Sequence, residues 1–131
     1  MERKLIITGL IFILLGIVLG AMGAHYIETL GATADQVDSF GTGTSYLFYN
    51  GTALLALTAL IKDFDFGVRT QFNGILFGTI LFSGSIFALV FLPLAGIEFG
   101  SFIGPVTPIG GLLMIFGWFT LIVKYLRAYP K

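Results

Sequence analysis

Apolar positions along this chain fall in long uninterrupted runs, not in the every-third-or-fourth spacing of a helix with one wet face. The first run, Leu5 to Ala24, holds no charged residue. As a helix rising 1.5 Å per residue it would be ~30 Å long, the thickness of a bilayer core. It closes on Gly20-Ala21-Met22-Gly23-Ala24-His25, whose last residue is the only histidine in the chain. Three more runs follow, and together they predict one all-α domain: an integral membrane four-helix bundle with spans at about 5–25, 46–61, 72–92 and 108–125.

The polar intervals refine these limits. Thr33 with Gln36 three residues on fits a capping box, so the second helix is expected to start near Ala34, well before its apolar part. Gly41 and Gly43 leave a kink or break open there. Lys62 to Gln71 is a compact connection whose Phe64 and Phe66 suit interfacial anchoring. Pro93 is expected to end the third helix, and Phe99 and Phe102 to reach the headgroup region. Thr107-Pro108 offers a capping hydroxyl and a first-turn proline for the fourth helix, with Tyr125 and Tyr129 as belt aromatics.

Charge sets the orientation. All seven Lys and Arg lie before span one, between spans two and three, or at and beyond the end of span four. The other two loops hold four of the seven acids and no cation. Under the positive-inside rule both termini are cytoplasmic. Met1-Glu2-Arg3-Lys4 before an apolar run also fits a signal peptide, but the run exceeds the usual ~7–15 residues, so retention is expected.

Composition removes several function classes. A chain of 131 residues that is 56% hydrophobic and 11% charged has too little polar surface for a soluble domain. Zero net charge offers no broad basic face to nucleic acid. Without cysteine there is no disulfide, thiolate metal site or thiol nucleophile. One histidine with Glu28 three residues on is a pair and not a metal site, and no cofactor is expected. None of the spans carries an Asp, Glu, Lys or Arg before Lys124, which argues against proton-coupled exchange.

Four motifs occur in order: Gly20 to His25; Tyr46 within Phe40 to Leu55; Phe82-Ser83-Gly84-Ser85; and Thr107-Pro108-Ile109-Gly110-Gly111 with Gly117-Trp118. In these the chain resembles the small membrane family called domain of unknown function 423, which includes animal transmembrane protein 256. The resemblance covers nearly the whole chain. It implies a four-helix, multi-pass protein, in bacteria placed in the cytoplasmic (inner) membrane, and it implies no particular activity. Where the family pattern places a histidine about four residues after the tyrosine of span two, this chain has Asn50.

The candidate ligand-binding residues form a polar set: His25, Asn50, Ser83, Ser85, Thr107 and Trp118. Topology puts Asn50 ~6 Å and Ser85 ~10 Å inside the outer boundary, so these groups are expected to meet in the outer half of the bundle. Trp118 falls near mid-membrane and needs an acceptor, for which Ser83 or a carbonyl near Gly84 is the candidate. Two readings follow. The polar set is interhelical glue, or it orients a lipid headgroup or small amphiphile in a pocket. The resulting expectation is a non-enzymatic structural or lipid-binding protein with membrane lipids as partners. The alternative is an oligomeric pore or passive transporter of small solutes. Gly16 with Gly20, and Gly74 with Gly78, provide small-residue faces for a homo-oligomer.

Overall fold

A computed structural model describes residues 1–98 and 100–130. Phe99 and Lys131 lie outside the described residues, and with them the expectation that Phe99 reaches the headgroups. The described chain is all-helical. Helix α1 is Glu2–Ala21, α2 is Ala34–Leu60, α3 is Arg69–Leu94 and α4 is Val106–Ala128. A wide π-type turn, Met22–Tyr26, and a last turn Ile27–Thr29 prolong α1, and a single turn Gly100–Ile103 precedes α4. All four helices are long and apolar enough to cross a membrane.

Local chemistry explains most of the ends. Thr33 Oγ1 accepts from the Gln36 N–H (3.3 Å) while Gln36 Oε1 accepts from the Thr33 N–H (2.9 Å), so the capping box forms. The C-terminal ends of α1 and α3, which lie at the same end of the bundle, each close on a glycine with positive φ, Gly31 at 92° and Gly96 at 77°. Behind each, the next N–H reaches back five residues: Ala32 to the Ile27 carbonyl (3.1 Å) and Ile97 to that of Leu92 (2.8 Å). These are Schellman closures, which need a residue free of Cβ strain. Pro93 therefore sits inside the last turn of α3 and does not end it; Gly96 supplies the stop. Helix α4 starts at Val106 with Pro105 as its cap residue, so the Thr107 hydroxyl is not a cap and is released for another partner.

No break occurs at Gly41 and Gly43. The hydroxyls of this stretch bond back to carbonyls four residues earlier: Thr42 to Asp38 (3.2 Å), Thr44 to Phe40 (3.0 Å) and Ser45 to Gly41 (2.9 Å). Satisfied in this way, they can lie at membrane depth without a solvent partner.

Glycine sets the packing. Along α1–α2, a Cβ on Gly9 would stand 2.8 Å from the Gly51 carbonyl oxygen, one on Gly16 3.0 Å from the Phe48 ring and one on Gly23 2.7 Å from the Phe40 ring. Along α3–α4, a Cβ on Gly74 would meet the Leu113 carbonyl oxygen at 3.1 Å and one on Gly78 the Met114 nitrogen at 2.6 Å. Both small-residue faces are thus consumed within one chain, and a homo-oligomer would have to use another surface. Helix α3 also lies along α2, but α2 and α4 make almost no direct backbone approach. The helices form two tight pairs, α1–α2 and α3–α4, hinged along α2–α3. Leu5, Phe12, Leu47, Leu54, Phe72 and Ile75 fill the inner core, while Ile27, Phe40 and Val90 fill the outer one. Leu14 and Phe119 are 59% and 62% exposed, as lipid-facing residues of the two peripheral helices should be.

Candidate functional site

The six polar residues proposed from the sequence divide among four places. In the middle of the bundle the Trp118 indole N–H donates to Asn50 Oδ1 (3.0 Å). The Asn50 amide in turn donates to the Tyr46 carbonyl (3.2 Å) and to Met114 Sδ (3.1 Å). Asn50 is buried and both its amide protons are used. Nearer the N-terminal end of α2, Ser83 donates to the Gly43 carbonyl (2.8 Å), joining α3 to α2. Ser85 and Thr107 share a hydroxyl–hydroxyl bond of 2.6 Å, joining α3 to α4. His25 stands apart, exposed in the wide turn that ends α1.

Two expectations about this set need correction. The acceptor for Trp118 is Asn50 and not Ser83. Gly110 packs against Phe82, and Trp118 lies eight residues further along α4, about 12 Å nearer its C-terminal end. Asn50 also lies deeper than ~6 Å below the outer boundary. Because α2 is continuous, the outer end of the α1 run meets it at Phe40, ten residues or about 15 Å from Asn50. Gly51 packs on Gly9, Phe12 and Ile13, which places Asn50 well inside the apolar run of α1.

Some groups in this architecture gave little sequence signal. Met114 is a thioether in an apolar run, and nothing in that pattern marks it as an amide acceptor. Gln71, assigned to a connection, is buried at the start of α3, where its amide donates to Thr120 (3.3 Å). Lys124 donates to the Gly67 carbonyl (2.7 Å), and the Tyr129 hydroxyl donates to the Asp63 carbonyl (2.7 Å). These contacts clasp the end of α4 to the 61–68 connection. Among the described residues no buried side-chain nitrogen or oxygen lacks a hydrogen-bond partner, and no group of three or more His, Cys, Asp or Glu could hold a metal.

What the arrangement leaves open is the space between α2 and α4. With only the Asn50 bonds crossing it, two cavities of about 630 and 660 Å³ lie in sequence along this groove, and Trp118 lines both. The upper one is walled by Tyr46, Tyr49, Phe82 and Phe119, and the lower by Ala53, Ala56, Leu60 and Ile122.

Residues 19–111 match the family described as protein of unknown function (DUF423). The chain belongs to that family. Among its relatives, the UPF0382 membrane protein YwdK of Bacillus subtilis is 34% identical over 95% of this chain and 99% of its own length. A UPF0382 membrane protein of Staphylococcus epidermidis is 32% identical over 95% and 97%. One from Schizosaccharomyces pombe is 34% identical over 84% and 91%. No solved structure matches the chain. The family match and the four apolar helices together make this a small membrane protein, and the matched residues include every member of the polar set except Trp118.

Proposed function

We propose that this protein holds the hydrocarbon tail of a lipid or small amphiphile in the groove between α2 and α4, in a bundle with both termini cytoplasmic, in bacteria in the inner membrane. One observation carries the reading: among the described residues, the two helices that face each other across the bundle are joined by hydrogen bonds of Asn50 alone, with about 630 and 660 Å³ of mostly apolar space on either side of them. An open groove of that size, left unfilled inside a bilayer, forgoes dispersion contacts along its walls, and an acyl chain laid in it restores them. The space is also within the ~300–1,000 Å³ range of ligand pockets. Asn50 sets the width of the groove and does not bind the tail, since its amide protons are already taken.

The test is direct. Native mass spectrometry of protein extracted in mild detergent should find a bound lipid or amphiphile. Ala56→Trp, which projects an indole into the lower cavity, should displace it while the helical content stays native. Protein that carries no adduct from any membrane source, or the same adduct with and without the indole, would defeat the proposal.

Orientation rests on the cation split and is tested separately. Single cysteines at Thr33 and at Gly100 should react with an impermeant maleimide in intact cells, whereas one at Gly67 should react only after lysis. Labelling of Gly67 in intact cells would invert the bundle.

A further inference from the structure

A third cavity, about 530 Å³, opens at the outer end where α2, α3 and the start of α4 meet, and it is independent of the groove. Its two walls differ in kind. Asp35, Ser39 and Thr42 line one side, at the spacing that puts them on a single face of α2. Ile86, Leu89 and Val90 of α3 line the other. We propose that this cleft binds a single-tailed amphiphile with a cationic amine head, the ammonium on the α2 wall and the tail on the α3 wall.

The polar groups on the cleft are mostly acceptors. Asp35 is a carboxylate in no ion pair among the described residues. Thr42 has already given its proton to the Asp38 carbonyl (3.2 Å), so its oxygen is left to accept. Leu89 lies four residues before Pro93, which has no N–H, so the usual i+4 donor to the Leu89 carbonyl is missing. The Gln36 oxygen is used by the capping box, so Gln36 brings only its amide NH2, the one amide donor among these lining side chains. Charge complements this. At the outer end the sequence has Glu28, Asp35, Asp38 and Glu98 and no Lys or Arg. An ammonium finds partners for its three donors there, whereas a phosphate or sulfate would meet the Asp35 carboxylate, with hydroxyls and the Gln36 amide as its donors and no Lys or Arg to offset the charge. The same absence favours a plain amine over a zwitterionic phospholipid head.

Asp35 in the first turn of α2 also complements the helix dipole. A role limited to that would leave ligand binding untouched by its neutralisation, so binding separates the two. The probe is dodecylamine with a dansyl group on its tail end, titrated by fluorescence into the full chain in maltoside micelles. Asp35→Asn should weaken it by about tenfold, the scale of one charge-assisted hydrogen bond, and Asp35→Glu should restore most of the affinity. Thr42→Trp should fill the cleft and abolish binding, with circular dichroism confirming that the bundle persists. Dodecyl phosphoethanolamine should compete weakly and dodecyl sulfate not at all. Ala56→Trp should leave the affinity unchanged, which separates this site from the groove. Unchanged affinity in Asp35→Asn, equal competition by dodecyl sulfate, or stronger binding of the phosphoethanolamine would each overturn the proposal.

Discussion

Gly78→Val is expected to be among the most damaging single substitutions in the chain, lowering stability by about 3 kcal/mol, the upper part of the usual range for overpacking. A Cβ at position 78 would stand 2.6 Å from the Met114 nitrogen and 2.8 Å from the Gly110 carbonyl oxygen. Both are backbone atoms of α4, so no side chain can turn aside to make room, and the helices themselves must separate. Separation would then also lengthen the Ser85–Thr107 and Gln71–Thr120 bonds, which cross the same interface. The internal control is Gly84→Ala on the same helix. Nothing lies within 4 Å of a Cβ there, so the gain in helix propensity should leave stability unchanged or raise it by about 0.5–1 kcal/mol. Unfolding in mixed micelles with rising dodecyl sulfate, followed by circular dichroism, measures both. Equal midpoints for the two variants would show that α3 and α4 are not packed backbone to backbone.

That interface shows where sequence reading stops. Gly74 and Gly78 announce a close helix approach, but spacing alone does not say whether the partner is α4 of the same chain or a second copy. The answer depends on which helices neighbour one another and in what register, and that is a property of the whole bundle. The four apolar runs and the capping box at Thr33 were legible because each is written within a few consecutive residues. The extent of α2 at membrane depth was not. Hydropathy marks Thr42, Thr44 and Ser45 as polar, yet each hydroxyl is silenced by a carbonyl one turn back, and so the helix meets the end of the α1 run at Phe40 and not at Tyr46. The same shift moved Asn50 from the outer quarter to the interior of the bundle and gave Trp118 a different partner. His25, conspicuous as the only histidine, lies exposed at the end of α1, while the unremarked Met114 and Gln71 hold helices together.

Asn50→Leu is expected to be the costliest change among the polar residues, because it breaks the one tie between α2 and α4. It removes three hydrogen bonds and leaves the Trp118 indole N–H without an acceptor at mid-membrane. Hydrogen bonds between membrane helices average only ~0.6 kcal/mol and reach ~1.7. The stranded N–H adds to that, so a loss of about 2 kcal/mol is expected. Trp118→Phe should cost less, since Asn50 keeps Tyr46 and Met114 as partners. The double variant decides the cause. With the indole already gone, Asn50→Leu strands nothing on α4, and the two losses should fall short of their sum by about 1 kcal/mol. Strict additivity would mean that the 3.0 Å bond contributes no coupling and that the groove is held by packing alone. Bound lipid gives the second reading. If Asn50 only spaces the helices, the occupant should bind less tightly in both single variants, in proportion to their loss of stability. Loss of the occupant in Asn50→Leu alone would instead make Asn50 a direct ligand-binding group, with its remaining Oδ1 lone pair facing a donor on the bound molecule.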